Sequence, residues 1–246
     1  RVLFRSERLT AFLPRYAPIA ARMPFLANLR NTFPGLAKLT ESLTGFTATR
    51  KLPTWATRPF KNSEASESES PQAVVFADCF NRYFEPENLR ATFKVMEAAD
   101  VPVHLAKARK GERPLCCGRT FLSAGLIDEA KVEAQRLVDA LMPYVEKGLP
   151  IIGLEPSCLL TLRDEIPALL PGEDTEKLSA KARMLEEYIV DQEANPDFHL
   201  PLTSPSSKVL LHGHCHQKAM GVMSSIEKTL ALLPDTQVET VETSCC

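Results

Sequence analysis

Two pairs of adjacent cysteines, Cys116-Cys117 and Cys245-Cys246, each follow an apolar run that closes on a single cysteine. The first run is Ala73-Val-Val-Phe-Ala-Asp-Cys79, with 36 residues between it and its pair. The second is Lys208-Val-Leu-Leu-His-Gly-His-Cys215, with 29 residues between. Neighbouring side chains cannot both enter an ordinary core without strain. Each pair therefore forces two thiols to share one spot, an arrangement that suits a metal cluster in which adjacent thiolates hold adjacent iron atoms.

Other uses of cysteine fit less well. A free cysteine is often just a small buried hydrophobe, but scatter does not readily repeat one order twice. A secreted disulfide framework conflicts with an odd count of seven, a length of 246 residues and the lack of a visible secretory signal. A structural zinc site favours Cys-x2-Cys knuckles, and the chain has none.

The length allows one or two domains. With 44% hydrophobic and 24% charged residues, the composition is that of a globular protein. A net charge of −2 gives no overall attraction to nucleic acid. The charge is uneven, however: residues 1–60 carry +8 and the rest −10. No apolar run approaches the roughly 20 residues of a membrane-spanning helix. The chain opens on Arg1 and stops on Cys246, so the expectation is an internal piece of a longer polypeptide.

Residues 1–60 show short helical patterns, such as Arg8–Leu13 and Leu36–Leu43, broken by prolines at 14, 18, 24, 34 and 53. This basic arm is either a solvated linker or a docking surface for an acidic partner or lipid headgroups. Residues 61–72 are Ser- and Glu-rich, a linker composition. From residue 73 strands and helices alternate. Strands are expected at 73–77, 101–105, 150–154, 208–212 and 238–242. Helices are expected at 86–99, 127–146, 175–193 and 217–232.

That alternation implies an α/β fold with a mainly parallel sheet covered on both faces. The expected organisation is a helical arm (1–60), a linker (61–72), a first unit (73–200) and the start of a repeat-related second unit (201–246), truncated. The cysteines fall just past strand ends, where open α/β sheets place their sites.

The first unit offers Cys79, Cys116, Cys117 and Cys158, a full set for a [4Fe–4S] cluster. Gly118, lacking a Cβ, would let backbone and inorganic sulfide approach closely. The second unit offers Cys215, Cys245 and Cys246. His212, His214 and His216 alternate, so a continuing strand would put them on one face. They could hold a metal, hydrogen-bond cluster sulfurs or cap the next helix. No dinucleotide or Walker loop is present.

The phrases Leu-Cys-Cys-Gly-Arg-Thr (115–120), Gly-Leu-Glu-Pro-Ser-Cys (153–158) and Leu-Leu-His-Gly-His-Cys-His-Gln-Lys-Ala (210–219) resemble the cysteine-rich CCG domain. That domain occurs in one of the subunits of heterodisulfide reductase and in iron–sulfur subunits of glycolate oxidase. These phrases are most similar to the C-terminal part of fused FAD-linked oxidases of the D-lactate dehydrogenase type. The resemblance implies an electron-transfer module passing electrons from an FAD site outside this chain to a quinone or other acceptor. The oxidised substrate would be a D-2-hydroxy acid. It also implies a ferredoxin-like cluster segment as partner, a cytoplasmic location and the option of peripheral attachment at the inner membrane face.

One departure matters. Where heterodisulfide reductase has Cys-x-x-Cys, this chain has Glu155 in place of the first cysteine. The resemblance therefore favours an ordinary cubane over a noncubane cluster, with Glu155 a supporting or helix-starting carboxylate. A thiol/disulfide redox protein and a non-redox scaffold holding zinc are the alternative readings.

Overall fold

A computed structural model describes residues 3–65, 67–204 and 208–243. Four short helices form the arm: α1 (Arg5–Ala11), α2 (Leu13–Ala20), α3 (Pro24–Thr32) and α4 (Pro34–Thr44). Prolines occupy the first turns of α2, α3 and α4, where the missing N–H removes no helical bond. They start these helices more than they break them.

The following segment then enters the α/β body. Phe60 is buried, and a single 3-10 turn spans Asn62–Glu64. Arg90 Nε donates to Glu64 at 2.7 Å, and Lys107 pairs with Glu67. The Ser/Glu-rich stretch is thus tied to the body at Glu64 and Glu67.

The main sheet is parallel, in the order β2-β1-β3-β4. Its strands are β1 (Ala73–Val75), β2 (Val103–Leu105), β3 (Ile151–Gly153) and β4 (Ala182–Met184). Between β1 and β2 lie α5 (Cys79–Tyr83) and α6 (Pro86–Ala98); between β2 and β3 lie α7 (Arg119–Ser123) and α8 (Ile127–Val145). Then come α9 (Pro156–Leu160), α10 (Glu165–Leu169) and α11 (Glu173–Lys181) before β4, and α12 (Leu185–Asp191) after it.

Alternate strand residues feed two cores. Val74 and Ile151 pack with Leu137, Val138 and Leu141 of α8 and Leu178 of α11. Ala73, Val75 and Ile152 pack with Leu89, Phe93 and Met96 of α6 and Tyr188 of α12. Burial on both faces is why these strands read as continuous apolar runs.

The helix expected over 175–193 is in fact two helices with β4 between them. Ala182 and Met184 are buried and pair with Ile151 and Gly153, so sheet pairing overrides a helical spacing that continues through them. Beyond the main sheet, β5 (Lys208–Leu211) and β6 (Gln237–Thr240) form a parallel pair. They bracket α13 (Cys215–Ala219) and α14 (Met223–Ala231). The helix expected over 217–232 is therefore also split, at Gly221, which takes φ +70°.

The order β2-β1-β3 fixes the site. The chain leaves β1 toward β2 on one side, and β3 pairs on the other. The two connecting helices cover opposite faces. The segments leaving the carboxyl ends of β1 and β3 diverge there, the usual binding position in an open parallel sheet.

Candidate metal centre

Three strand ends converge there. Cys79 is the first residue of α5 after β1, and Cys116-Cys117 precede α7 in the connection from β2. Cys158 lies in the first turn of α9 after β3. All four are buried and unoxidised.

Two acidic caps hold the backbone around them. Asp78 Oδ1 accepts from the N–H groups of Phe80 and Asn81 at 2.9 Å each, which starts α5 at Cys79. Glu155 caps α9, accepting from the Cys158 N–H at 2.6 Å and from the Ser157 hydroxyl at 2.9 Å. Glu155 therefore acts as the helix-starting carboxylate. Burial pushes Asp78 up to about 6, despite its hydrogen bonds to Asn81.

The thiols interact in series: Cys79 with Cys116, Cys116 with Cys117, and Cys117 with Cys158. Cys116 is drawn well below the usual thiol range by its contacts with Cys117 and Cys79, helped by the Gly118 N–H and the Arg113 charge. That N–H donates to Cys116 Sγ at 3.4 Å. Cys79 and Cys117 are pushed well up, first by contact with Cys116 and then by burial. Contact with Cys117 would lower Cys158, but burial and the Asp78 and Glu155 carboxylates outweigh it and raise the thiol. Negative charge is thus favoured at Cys116 over its neighbours, and a bound metal favours the thiolate form of such ligands.

Among the described residues, one group of three possible ligands has its donor atoms all within 4.8 Å: His214, Cys215 and His216. The four buried thiols instead reach the site from three strand ends, two of them adjacent in sequence, as thiolates on adjacent iron atoms of a cluster would be.

Gly118 has a different neighbour from the one expected. It takes φ +83°, and a Cβ there would lie 2.9 Å from the Ala130 carbonyl of α8. The glycine lets the loop close against helix backbone as well as bend beside the sulfurs.

Residues the sequence did not single out complete the enclosure. Leu13, Ala17 and Ala21 of α2 and the turn after it share one apolar cluster with Cys79, Tyr83 and Cys116, flanked by Tyr16 and Trp55. The arm is thus the cover of the site. Arg15 pins it to α8 through Glu129, and the Thr120 hydroxyl donates to the Ala11 carbonyl at 2.9 Å. Arg113 is held by Glu133, which is fully buried on α8 and also bonds Arg136 at 2.8 Å. Helical spacing around Pro14 and Pro18, together with the lone Trp55, was the available signal.

The histidines do not share a face. Strand β5 ends at Leu211, and the chain turns, so His214 caps α13 and accepts from the His216 N–H at 3.2 Å. His212 Nε2 instead meets the Thr243 hydroxyl at 2.6 Å. The rings of His214 and His216 stack 5.1 Å apart. His216 bonds Arg119 at 2.8 Å and lies 3.6 Å from Cys215 Sγ. Burial keeps both His214 and His216 below the usual imidazole range. Cys215 is half-buried beside them, whereas Cys245 and Cys246 lie outside the described residues.

Fold and site define a cysteine-rich α/β domain, and the comparisons give the same class. Residues 73–163, which include all four buried thiols, match the family model of the CCG cysteine-rich domain. Over 254 aligned residues the chain is 24% identical to one of the subunits of anaerobic glycerol-3-phosphate dehydrogenase from Escherichia coli strain K12, and equally to its counterpart from strain O157:H7. The alignment covers all of this chain and 60% of those relatives. No solved structure matches it.

Proposed function

We propose that this chain is the iron–sulfur electron-transfer part of a flavin-linked dehydrogenase, with a [4Fe–4S] cluster held by Cys79, Cys116, Cys117 and Cys158. The observation that carries the reading is the convergence of four buried thiols from three strand ends at the carboxyl edge of a parallel sheet. Bound there, such a cluster supplies one-electron transfer.

The chain's own residues give it a defined setting. The thiols ligate, while Asp78 and Glu155 fix the two helix starts that aim Cys79 and Cys158. The Gly118 N–H and Arg113 favour negative charge at Cys116. The arm keeps water away, which holds the site in a low-dielectric environment.

FAD and the oxidised substrate belong to a partner domain or subunit. The motifs suggest a D-2-hydroxy acid, while the relatives' name suggests glycerol-3-phosphate. Both are alcohols that carry an anionic group, and the proposal is a dehydrogenase for that class, delivering electrons through a further ferredoxin-like segment to a quinone or other acceptor. Cys215, Cys245 and Cys246 are proposed as ligands of a second site, with His214 and His216 supporting Cys215. A cytoplasmic location, with peripheral attachment at the inner membrane face, is supported by the +8 arm and its exposed Phe4, Ile19, Phe25 and Phe33. Among the described residues no helix is long and apolar enough to cross a membrane.

Anaerobic reconstitution followed by iron and sulfide analysis tests the ligand set. Cys116→Ser and Cys117→Ser should each lose most of the iron while keeping the far-ultraviolet circular dichroism of the parent. Undiminished iron in both variants overturns the assignment.

A further inference from the structure

We propose that Arg82 is the buried counter-charge of the cluster, its free Nε–H being the donor kept for a cluster sulfur. The proposal rests on the cluster reading above and extends it to a residue outside the cysteine motifs. Arg82 lies three residues after Cys79 on the same short helix, and only 6% of it is exposed.

A guanidinium stays charged in a protein interior, and an interior charge without an opposite partner is strongly disfavoured. Arg82 nonetheless forms no ion pair among the described residues. Its NH1 group donates to two neutral acceptors, the Asn62 side-chain oxygen at 2.8 Å and the Phe60 carbonyl at 3.3 Å. Its guanidinium carbon lies over the Phe60 ring, 5.8 Å from the centroid. Its Nε is the one buried side-chain nitrogen or oxygen without a partner among the described residues.

Nearby anions are spoken for. Asp78, the nearest carboxylate in sequence, is occupied by the N–H groups of Phe80 and Asn81 and by the Asn81 side chain. Burial pulls the Arg82 guanidinium below its usual range, and Tyr83, Cys79 and Asp78 are the ionisable groups near enough to oppose that. The cavity of about 210 Å³ that Arg82 helps line also carries Lys107, Arg109, Lys110 and Glu112, of which Lys107 pairs with Glu67, Arg109 with Asp139 and Glu112 with Arg136. Four thiolates around an iron–sulfur core carry net negative charge beside Cys79, which supplies the missing partner.

The test uses Arg82→Met and Arg82→Lys in the whole chain, iron-free and reconstituted, read by thermal unfolding and midpoint potential. Iron-free Arg82→Met should unfold at or above the parent's temperature, because an unpaired charge is gone. Reconstituted, it should gain less stability from the cluster and show a lower potential, with Arg82→Lys between the two. Full iron at the parent's potential in Arg82→Met overturns the proposal alone. So does an equal loss of stability with and without iron, which marks a purely structural arginine. Stabilisation of the iron-free parent by millimolar inorganic phosphate that is lost in Arg82→Met, with no change in potential, assigns the arginine to an oxyanion in the cavity and also overturns it. A parent that takes up no iron overturns this proposal and the cluster reading together.

Discussion

Glu155 shows how one residue can be read from the sequence and then given its mechanism by the fold. A carboxylate stands where a related pattern has a cysteine, and it receives the Cys158 N–H at 2.6 Å. Glu155→Ala should cost about 1 kcal/mol, the usual effect of losing a helix cap, with a smaller loss for Glu155→Gln. Chemical denaturation of the iron-free chain measures this, and both variants should retain iron. Gly118 is less forgiving. Gly118→Ala imposes a left-handed backbone on an ordinary residue, about 1–2 kcal/mol, and drives its methyl against the Ala130 carbonyl. It should therefore lower the melting temperature more than Glu155→Ala does; an equal or smaller effect would show that the loop can yield.

At the scale of elements, the strands β1 and β3 were legible because they are short, apolar and buried on both faces, and β2 because only the half-buried His104 interrupts its apolar run. The helices α6 and α8 were legible from their spacing, with ends close to those expected. β4 was hidden because Ala182-Arg183-Met184 sits within an unbroken helical spacing, and only pairing with β3 reveals it. The shared face of the histidines depended on β5 continuing, which nothing local decides; the strand stops at Leu211, and His214 takes the helix-cap position that was the other reading. The joint between α8 and the Cys116 loop was also invisible, because it depends on long-range ion pairs to a buried glutamate. Glu133→Gln should unfold more easily by about 2–3 kcal/mol. That lies just under the usual range for breaking a buried pair, since Arg113 and Arg136 are partly exposed. Thermal melts of the iron-free chain measure it.

At the scale of the whole molecule, the sequence placed a basic arm in front of an α/β body but did not show where it lies. Its helices are too short for a core of their own, so their packing is decided by the surface they meet, and that surface includes Cys79 and Cys116. The arm is thus a lid of the cysteine site and a carrier of exposed apolar side chains at once. Trp55→Ala, which removes the indole packed 4.6 Å from the Phe84 ring, should open this cover. Its visible absorbance should bleach in air several-fold faster than the parent's; equal rates would mean that oxygen enters elsewhere.

Whether the four buried thiols hold one multinuclear iron–sulfur cluster is read by X-ray absorption at the iron edge of the anaerobically reconstituted chain. A cluster gives a first shell of sulfur alone together with a short iron–iron distance, both lost in Cys116→Ser. A signal from isolated metal ions, with no metal–metal distance or with imidazole in the first shell, would contradict it.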